Sequence, residues 1–282
     1  MIHGTDRSAG LLNGETWWGR VFTRGTAGGN HTVVVPPGLP VADLAASAEV
    51  LGVPDTAFIT SIDSGSVVLR TFSPAEELEQ CLQTSLAVLT ALDVPDHTPW
   101  YVRHERSEQL VVHREGPISW ARQEDTEPPE LEETDWPHFV HAEPAFAARP
   151  VIIRQSRSRI QLRCADVGQL AAIRIDAEDV LELCARTRTN GLVLSASDGA
   201  DEWRVRVFTT SLSGTEDSAT GGAVLGVGAL AALDGIRGDI RVCQGSQDPT
   251  RQGHLLLRIV DDGTVLLGGE VTSLLSGRLM HP

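Results

Sequence analysis

The sequence predicts an α+β protein made of two similar halves, and three observations predict it. Arg70 and Phe72 recur as Arg206 and Phe208, 136 residues on. The same offset carries a helix around Leu44 onto one around Val180, and a strand around Phe58 onto one around Leu194. Each half then closes its pattern with an apolar helix, one over Leu78 to Leu92 and one, small and uncharged, ending at Leu233, as a buried helix requires. Duplication at so long a period means two domains rather than a solenoid. The halves are set at 16–142 and 143–282.

Taken in order, residues 1–14 are polar and Gly-bearing and read as a loose tail. Trp17 to Thr23 and Thr32 to Val35 read as a hairpin around the Gly-rich turn Gly25 to Asn30. Val41 to Leu51 has helical spacing, with Leu44, Ala48 and Leu51 on one face. Asp55 to Ile62 and Val67 to Phe72 pair across Asp63-Ser64-Gly65. Glu124 to Asp135, rich in Glu and Pro, reads as an exposed acidic loop leading to the second half. Ile152 to Cys164, Val167 to Ile173 and Ala177 to Arg186 rebuild the strand–helix pattern. The six tryptophans read as packing residues.

Composition narrows the function. An apolar fraction of 41% over 282 residues suffices for a real core. A formal net charge of -15 excludes the clustered positive surface that nucleic acid or an anionic membrane demands. No apolar run reaches spanning length and no basic-then-apolar leader opens the chain, so a soluble cytoplasmic protein is expected. All 23 basic residues are Arg. Schiff-base chemistry, a pyridoxal phosphate anchor and a P-loop lysine are therefore excluded, and no cofactor is expected. Cys81, Cys164, Cys184 and Cys243 lack zinc-like spacing, and His138 and His141 lack a third ligand, so no metal is expected either. The expected partner is a small molecule.

The most informative stretch runs from Ser211 to Leu233. Asp217, Ser218 or Thr220 can cap the apolar helix that follows. Gly221 and Gly222 let a ligand approach the bare N–H groups of its first turn, where the helix dipole favours a carboxylate. Glu216 and Asp217 stand at the mouth, placed to move a proton or hold an amine. Taken alone, the same residues also describe a capped core helix after a Gly turn.

Glu216-Asp217-Ser218-Ala219-Thr220-Gly221-Gly222-Ala223 resembles the Glu-Asp-Pro-Ala-Thr-Gly-Ser-Ala signature of the PhzF (phenazine biosynthesis) family. Gly29-Asn30-His31-Thr32-Val33-Val34-Val35 resembles its Gly-Asn-Pro-Ala-Ala-Val-Val element, Pro54-Asp55-Thr56-Ala57-Phe58 its Glu-Thr-x-Phe element, and Cys81-Leu82-Gln83-Thr84-Ser85-Leu86-Ala87 its Cys-Gly-His-Ala-Thr-Leu-Ala element. Gly268-Gly269 resembles the family's closing Gly-Gly strand, and Gln244-Gly245 its Gln-Gly element less closely, so the resemblance spans roughly residues 18–280. It implies the diaminopimelate epimerase fold: two pseudo-symmetric domains, each a mainly antiparallel sheet wrapped around a central apolar helix, with the active site between them. Dimerisation is typical of the family.

The resemblance also implies roles. Asp55 stands where the family has its acid/base glutamate, and Asp217 keeps the motif's aspartate; these are the expected catalytic pair. Asn30, Gln83, Thr84, Thr220, Gly221 and Gly222 are the expected substrate-binding residues. Asn30 also reads as a turn residue tolerating positive φ, and Asp55 as a plain strand start. The family's His has become Gln83, which hydrogen-bonds but cannot titrate, and its Ser has become Gly222. Cys81 reads as a core residue with no opposing cysteine, so a two-cysteine racemase is not expected. Arg70 and Arg206 read as partners of acidic neighbours rather than of a substrate. The expected function is a cofactor-independent isomerase shifting a double bond on a small unsaturated amino-acid-derived carboxylate, such as an alkyl-proline precursor, in bacterial secondary metabolism. An amino- or imino-acid epimerase and a catalytically silent binding member of the family are the alternatives.

Overall fold

The structure is a computed structural model and describes residues 11, 14–123, 130–137, 146–154, 157–245, 248 and 250–279. The tail before Leu11, the start of the acidic segment (124–129), His138 and His141 lie outside the described residues. In chain order the strands and helices are β1 (Thr16–Thr23), β2 (Asn30–Val35), α1 (Leu44–Leu51), β3 (Asp55–Asp63), β4 (Ser66–Phe72), β5 (Glu77–Leu78), α2 (Leu82–Ala91), β6 (Trp100–His104), β7 (Gln109–Glu115) and β8 (Ile118–Gln123). There follow β9 (Glu130–Glu133), β10 (Val151–Arg154), β11 (Arg159–Arg163), α3 (Val167–Ala172), α4 (Ala177–Thr187), β12 (Gly191–Ser197), β13 (Glu202–Thr209), β14 (Glu216–Asp217), α5 (Gly221–Leu233), β15 (Gly238–Gln244), β16 (Gly253–Ile259) and β17 (Val265–Gly277). Among the described residues no helix is long and apolar enough to cross a membrane.

Contacts divide the chain into two compact units. One comprises Met1–Thr26, Asn30–Glu124 and Gly268–Pro282; the other comprises Ala27–Gly29 and Asp125–Leu267. The segment from Gly268 on thus groups with the first unit, where the sequence places it in the half 143–282. The reason is strand pairing, since β17 runs antiparallel to β1 from Thr16↔Gly277 to Thr23↔Glu270 and also pairs with β8.

The first unit is a closed barrel. Its strands pair in the cycle β1–β2–β3–β4–β6–β7–β8–β17–β1, parallel at β2–β3 and β4–β6 and antiparallel at the other pairings whose register is defined. Closure removes the unpaired edges that an open sheet exposes. Helix α2 contacts β1, β2, β3, β7 and β8, and every one of its residues except Thr90 is buried. A helix enclosed by strands cannot carry unpaired charge, and this one carries none. Helix α1 packs Leu44 and Ala48 on the other face of the wall, against Val33, Val35, Phe58 and Phe72.

In the second unit β9–β10–β11 pair antiparallel, β11–β12 parallel, β12–β13 antiparallel, β13–β15 parallel and β15–β16 antiparallel. Helix α4 places Val180, Leu183 and Cys184 in a cluster with Ile160, Leu162, Leu192, Leu194 and Phe208, while α5 packs against β11 and β16.

The duplication is borne out in register. Phe58 lies opposite Arg70 in β3–β4, and Leu194 lies opposite Arg206 in β12–β13. The arginines repeat their chemistry too. Arg70 donates to both Glu77 oxygens (2.7 and 2.8 Å) and Arg206 to both Glu216 oxygens (3.0 and 2.8 Å). Each guanidinium also lies over the ring two residues on, Phe72 at 5.3 Å and Phe208 at 5.2 Å. Planar two-point pairing beside an aromatic face suits arginine specifically. The Arg70 hydrogen bond holds the Glu77 carboxyl below its usual range.

Four features differ from the sequence expectation. The helix predicted from Leu78 begins at Leu82, because Glu77-Leu78 is held extended as β5 opposite Phe72 and Thr71. The described end of the acidic segment is strand β9, whose exposed Glu132 pairs with Arg154 of β10 at 2.6 Å, so charge pairing supports a strand that composition reads as loop. Strands β6, β7 and β8, which the sequence patterns do not mark, complete the barrel. Of the tryptophans, Trp17, Trp120 and Trp203 are buried as expected, but Trp136 is exposed and lies against Phe146.

Where β17 enters the wall, Gly268 brings its backbone against Trp120; a Cβ there would stand 2.5 Å from Cε3 of the indole. Gly268→Ala is expected to destabilise the protein by about 1–3 kcal/mol through overpacking, read as a lowered midpoint with unchanged m-value in urea unfolding.

Candidate functional site

The sequence-predicted residues fall into two sets, one in each unit. In the first unit, alternation along β2 puts Asn30 and Thr32, both buried, on the face opposite His31. The parallel register sets Thr32 beside Asp55, the first residue of β3. Gln83, in the first turn of α2, donates from Nε2 to Thr32 Oγ1 (2.8 Å) and to the His31 carbonyl (3.4 Å). Asn30 belongs to a strand rather than to a positive-φ turn, because Gly28 and Gly29 (both φ 70°) take that conformation instead. His31, which stands where the family element has proline, accepts from the Trp18 indole at Nδ1 (3.1 Å) on the opposite face and packs edge-on against its ring. Burial, then the Arg20 charge, pull its pKa down.

Thr84, an expected substrate-binding residue, is placed in the interior of the first unit. It is 0% exposed, and its hydroxyl lies among the Cys81 carbonyl (3.1 Å), Thr71 Oγ1 (3.0 Å) and His104 Nε2 (3.4 Å). His104, on β6, has no sequence signal marking it. Its Nε2 accepts the Cys81 backbone N–H (3.3 Å), fixing the residue that precedes α2. The neutral ring then carries its proton on Nδ1, which among the described residues meets no acceptor. Burial drives the His104 pKa down to about 4. The Cys81 thiol is pushed far up, chiefly by burial and then by the Asp55 charge. It stays a thiol, consistent with its reading as a core residue. Asp55, the first residue of β3, stands near enough for its charge to act on that thiol.

In the second unit, Asp217 Oδ2 accepts the Thr220 hydroxyl (2.6 Å) and Oδ1 the Ala219 N–H (3.4 Å). Thr220 is the N-cap residue of α5, but its side chain caps none of the helix amides. Gln244, at the end of β15 and wholly buried, holds this turn. Its Oε1 accepts the Thr220 N–H (3.0 Å), and its Nε2 donates to the Asp217 carbonyl (3.0 Å) and to Thr220 Oγ1 (2.9 Å). Its one sequence signal is the Gln244-Gly245 element. Gly221 is buried and Gly222 is partly exposed at the opening turn of α5. Ser218 and Ala219 pack against Gly253, where a Cβ would meet the Ala219 methyl at 2.8 Å.

A cavity of about 440 Å³ in the second unit is lined by Leu170, Arg204, Arg206, Glu216, Cys243 and Gln252 among others; it takes in Glu216 but not Asp217, Thr220, Gly221 or Gly222. The Arg206–Glu216 ion pair forms part of its wall, so Arg206 is already committed to a carboxylate, as Arg70 is in the first unit.

The family model for phenazine biosynthesis-like proteins, PhzC-PhzF, matches residues 20–277. The chain belongs to the PhzC-PhzF family. Among solved structures, it shares the fold of a PhzC/PhzF phenazine biosynthesis protein of Clostridium difficile (strain 630), with a TM-score of 0.75 and 19% identity over 95% of this chain and 100% of that one. It shares the fold of an epimerase predicted for Pseudomonas aeruginosa, with a TM-score of 0.74 and 22% identity over 95% and 100%. It also shares that of a hydroxyproline epimerase of Agrobacterium vitis, with a TM-score of 0.57 and 13% identity over 95% and 93%. No curated protein sequence matches. The PhzF signature therefore falls, in this chain, on the turn that joins β14 to α5 and that Gln244 clamps.

His104 makes stability pH-dependent in a definite direction. Its folded pKa, about 4, lies below the ordinary 6.5, so the unfolded chain binds more protons between those values. The contribution is complete above pH 6.5 and is lost as pH falls towards 4, amounting to about 3 kcal/mol. Urea unfolding of wild type and His104→Gln across pH 4–7 is expected to show that slope in the wild type and a flattened one in the variant.

Proposed function

We propose that the chain is a cofactor-independent isomerase that moves a proton on a small amino-acid-derived carboxylate. Membership of the PhzC-PhzF family supports an isomerase or epimerase chemistry. The observation that carries the residue assignment is the chemistry around α2: Gln83 cannot titrate, His104 is kept neutral in the interior, and the Cys81 thiol is driven upward, which leaves Asp55 as the acid/base. An aspartate does this work with about one methylene less reach than the family's glutamate, so the substrate must lie correspondingly closer to β3. Asn30 and Gln83, on the elements next to Asp55 in the first unit, supply hydrogen bonds to the substrate.

The finer reading is an allylic shift of a double bond in an unsaturated amino or imino acid of bacterial secondary metabolism, an alkyl-proline precursor being one such compound. The absence of lysine leaves the carbanion without a pyridoxal phosphate sink, so conjugation within the substrate must stabilise it. An unsaturated substrate supplies that conjugation, and in an epimerisation the carboxylate itself takes up the charge.

The experiment is proton exchange in D₂O, followed by NMR with a panel of unsaturated amino and imino acids. Wild type is expected to exchange at least one carbon-bound proton, and Asp55→Asn to slow this by about 100-fold or more. Exchange that persists at the wild-type rate in Asp55→Asn removes Asp55 from the mechanism. The labelled carbon separates the outcomes: γ-labelling with a moved double bond marks the allylic shift, and α-labelling with loss of chirality marks epimerisation.

A further inference from the structure

The second unit carries a nucleophile that neither the family motifs nor the proposed chemistry uses. Alternation along β15 turns Val242 and Gln244 into the interior, 1% and 0% exposed, and leaves the half-buried Cys243 on the other face. Register then sets three side chains in one row across three strands. Cys243 lies beside Arg204 of β13 in the parallel pairing and opposite His254 of β16 in the antiparallel one. The sulfur stands 3.6 Å from His254 Nδ1, within hydrogen-bonding range for sulfur.

That row suits a reactive thiol. The nucleophile is the thiolate, which forms where a base takes the proton and a cation faces the charge. With the imidazole protonated on Nε2, its Nδ1 accepts the thiol proton. Arg204 supplies the cation. Its pKa is held above the usual range first by the Asp198 hydrogen bond, with the Cys243 charge among the further causes. The Glu202 carboxylate, 4.0 Å from the sulfur, is itself paired with Arg204 at 3.0 Å and faces Arg241 at 3.9 Å. The other cysteines differ. Burial pushes the Cys164 thiol up to about 12, and the Cys184 and Cys81 thiols upward as well. Cys243 also lines the cavity of about 440 Å³, a size within the range of small-molecule sites. The cavity walls carry charge of both signs, Arg204 with Asp198 and Arg206 with Glu216, beside Gln252 and the apolar Val167 and Leu170. A ligand bearing both an ammonium and a carboxylate matches such walls at both of its charges.

We propose that Cys243 is a thiol–disulfide exchange site, and that the cavity beside it takes one half of a small disulfide built from amino-acid-type thiols. The Cys243 thiolate attacks one sulfur of that disulfide, and a new S–S bond joins this half to the protein as the old S–S bond breaks. The other half leaves as a thiolate and takes up the proton that His254 received. The protein thiol is oxidised and the departing half is reduced, so the disulfide itself is the oxidant. This chemistry is separate from the proposed isomerisation, whose residues Asp55, Asn30 and Gln83 belong to the first unit.

The test incubates the full chain with oxidised glutathione at neutral pH and follows the adduct on each cysteine by peptide mass spectrometry. A synthetic peptide of residues 239–245 gives the rate of the same thiol without the fold. Cys243 is expected to be the cysteine that gains a glutathionyl group, about 10-fold or more faster than in the peptide. Its rate is expected to saturate as the disulfide concentration rises, because the cavity binds before exchange. His254→Gln and Arg204→Gln are each expected to slow the reaction several-fold, and Cys243→Ser to abolish it. An adduct missing from Cys243, a rate no faster than the peptide's, or a rate that stays linear in disulfide overturns the proposal. So does a wild-type rate in both His254→Gln and Arg204→Gln. Saturation and the peptide comparison use the wild-type chain, so they decide the matter even if either variant fails to fold.

Discussion

Enclosure of an apolar helix by strands is the constraint on which the first unit depends. Once β1 to β4, β6 to β8 and β17 close around α2, no side chain of that helix can be charged without a partner. Polar chemistry is then displaced to the ends of the helix, where backbone N–H groups are unsatisfied and the dipole is positive. Gln83, Thr84 and the Cys81 amide all sit at that end, and Asp55 reaches it from the start of the adjoining strand. The placement of the candidate acid/base thus follows from the packing of the helix.

The two units solve the same problem with different polar groups. In the first, a buried neutral imidazole, His104, and Thr84 hold the helix start, and Gln83 ties it to β2. In the second, Gln244 and Asp217 hold the turn, and Arg159 stands against the helix itself. What both units keep is the Arg–Glu pair under an aromatic ring, outside the predicted sites. These half-buried, two-point pairs fasten the two-residue strands β5 and β14 to their neighbours, and so set the point from which each central helix departs.

Much of this was legible in the chain. The 136-residue offset carried real register, since Phe58–Arg70 and Leu194–Arg206 occupy the same rungs. Local periodicity found the hairpin at Trp17 and the helix at Leu44, because one face of each is buried. The offset does not persist into the central helices: Phe72 to Glu77 spans five residues and Phe208 to Glu216 eight, so Gln83 answers to Gly222 rather than to Ala219. A loop-length change of that kind leaves no trace in hydrophobic pattern. A motif marks which residues adjoin a site, but the direction of each side chain depends on which turn of the helix meets which strand.

The sequence by itself determined the duplication, the two apolar helices, the family motif and a catalytic vocabulary without lysine, because each is written in residue type and short spacing. Tertiary structure alone decided that the segment from Gly268 on joins the first barrel, that His104 is buried beneath Cys81, and that Arg159 stands against Gly222. Those outcomes depend on strand pairing and on close packing between residues far apart in the chain. Nothing local to Gly268, His104 or Arg159 records the partner against which it comes to rest.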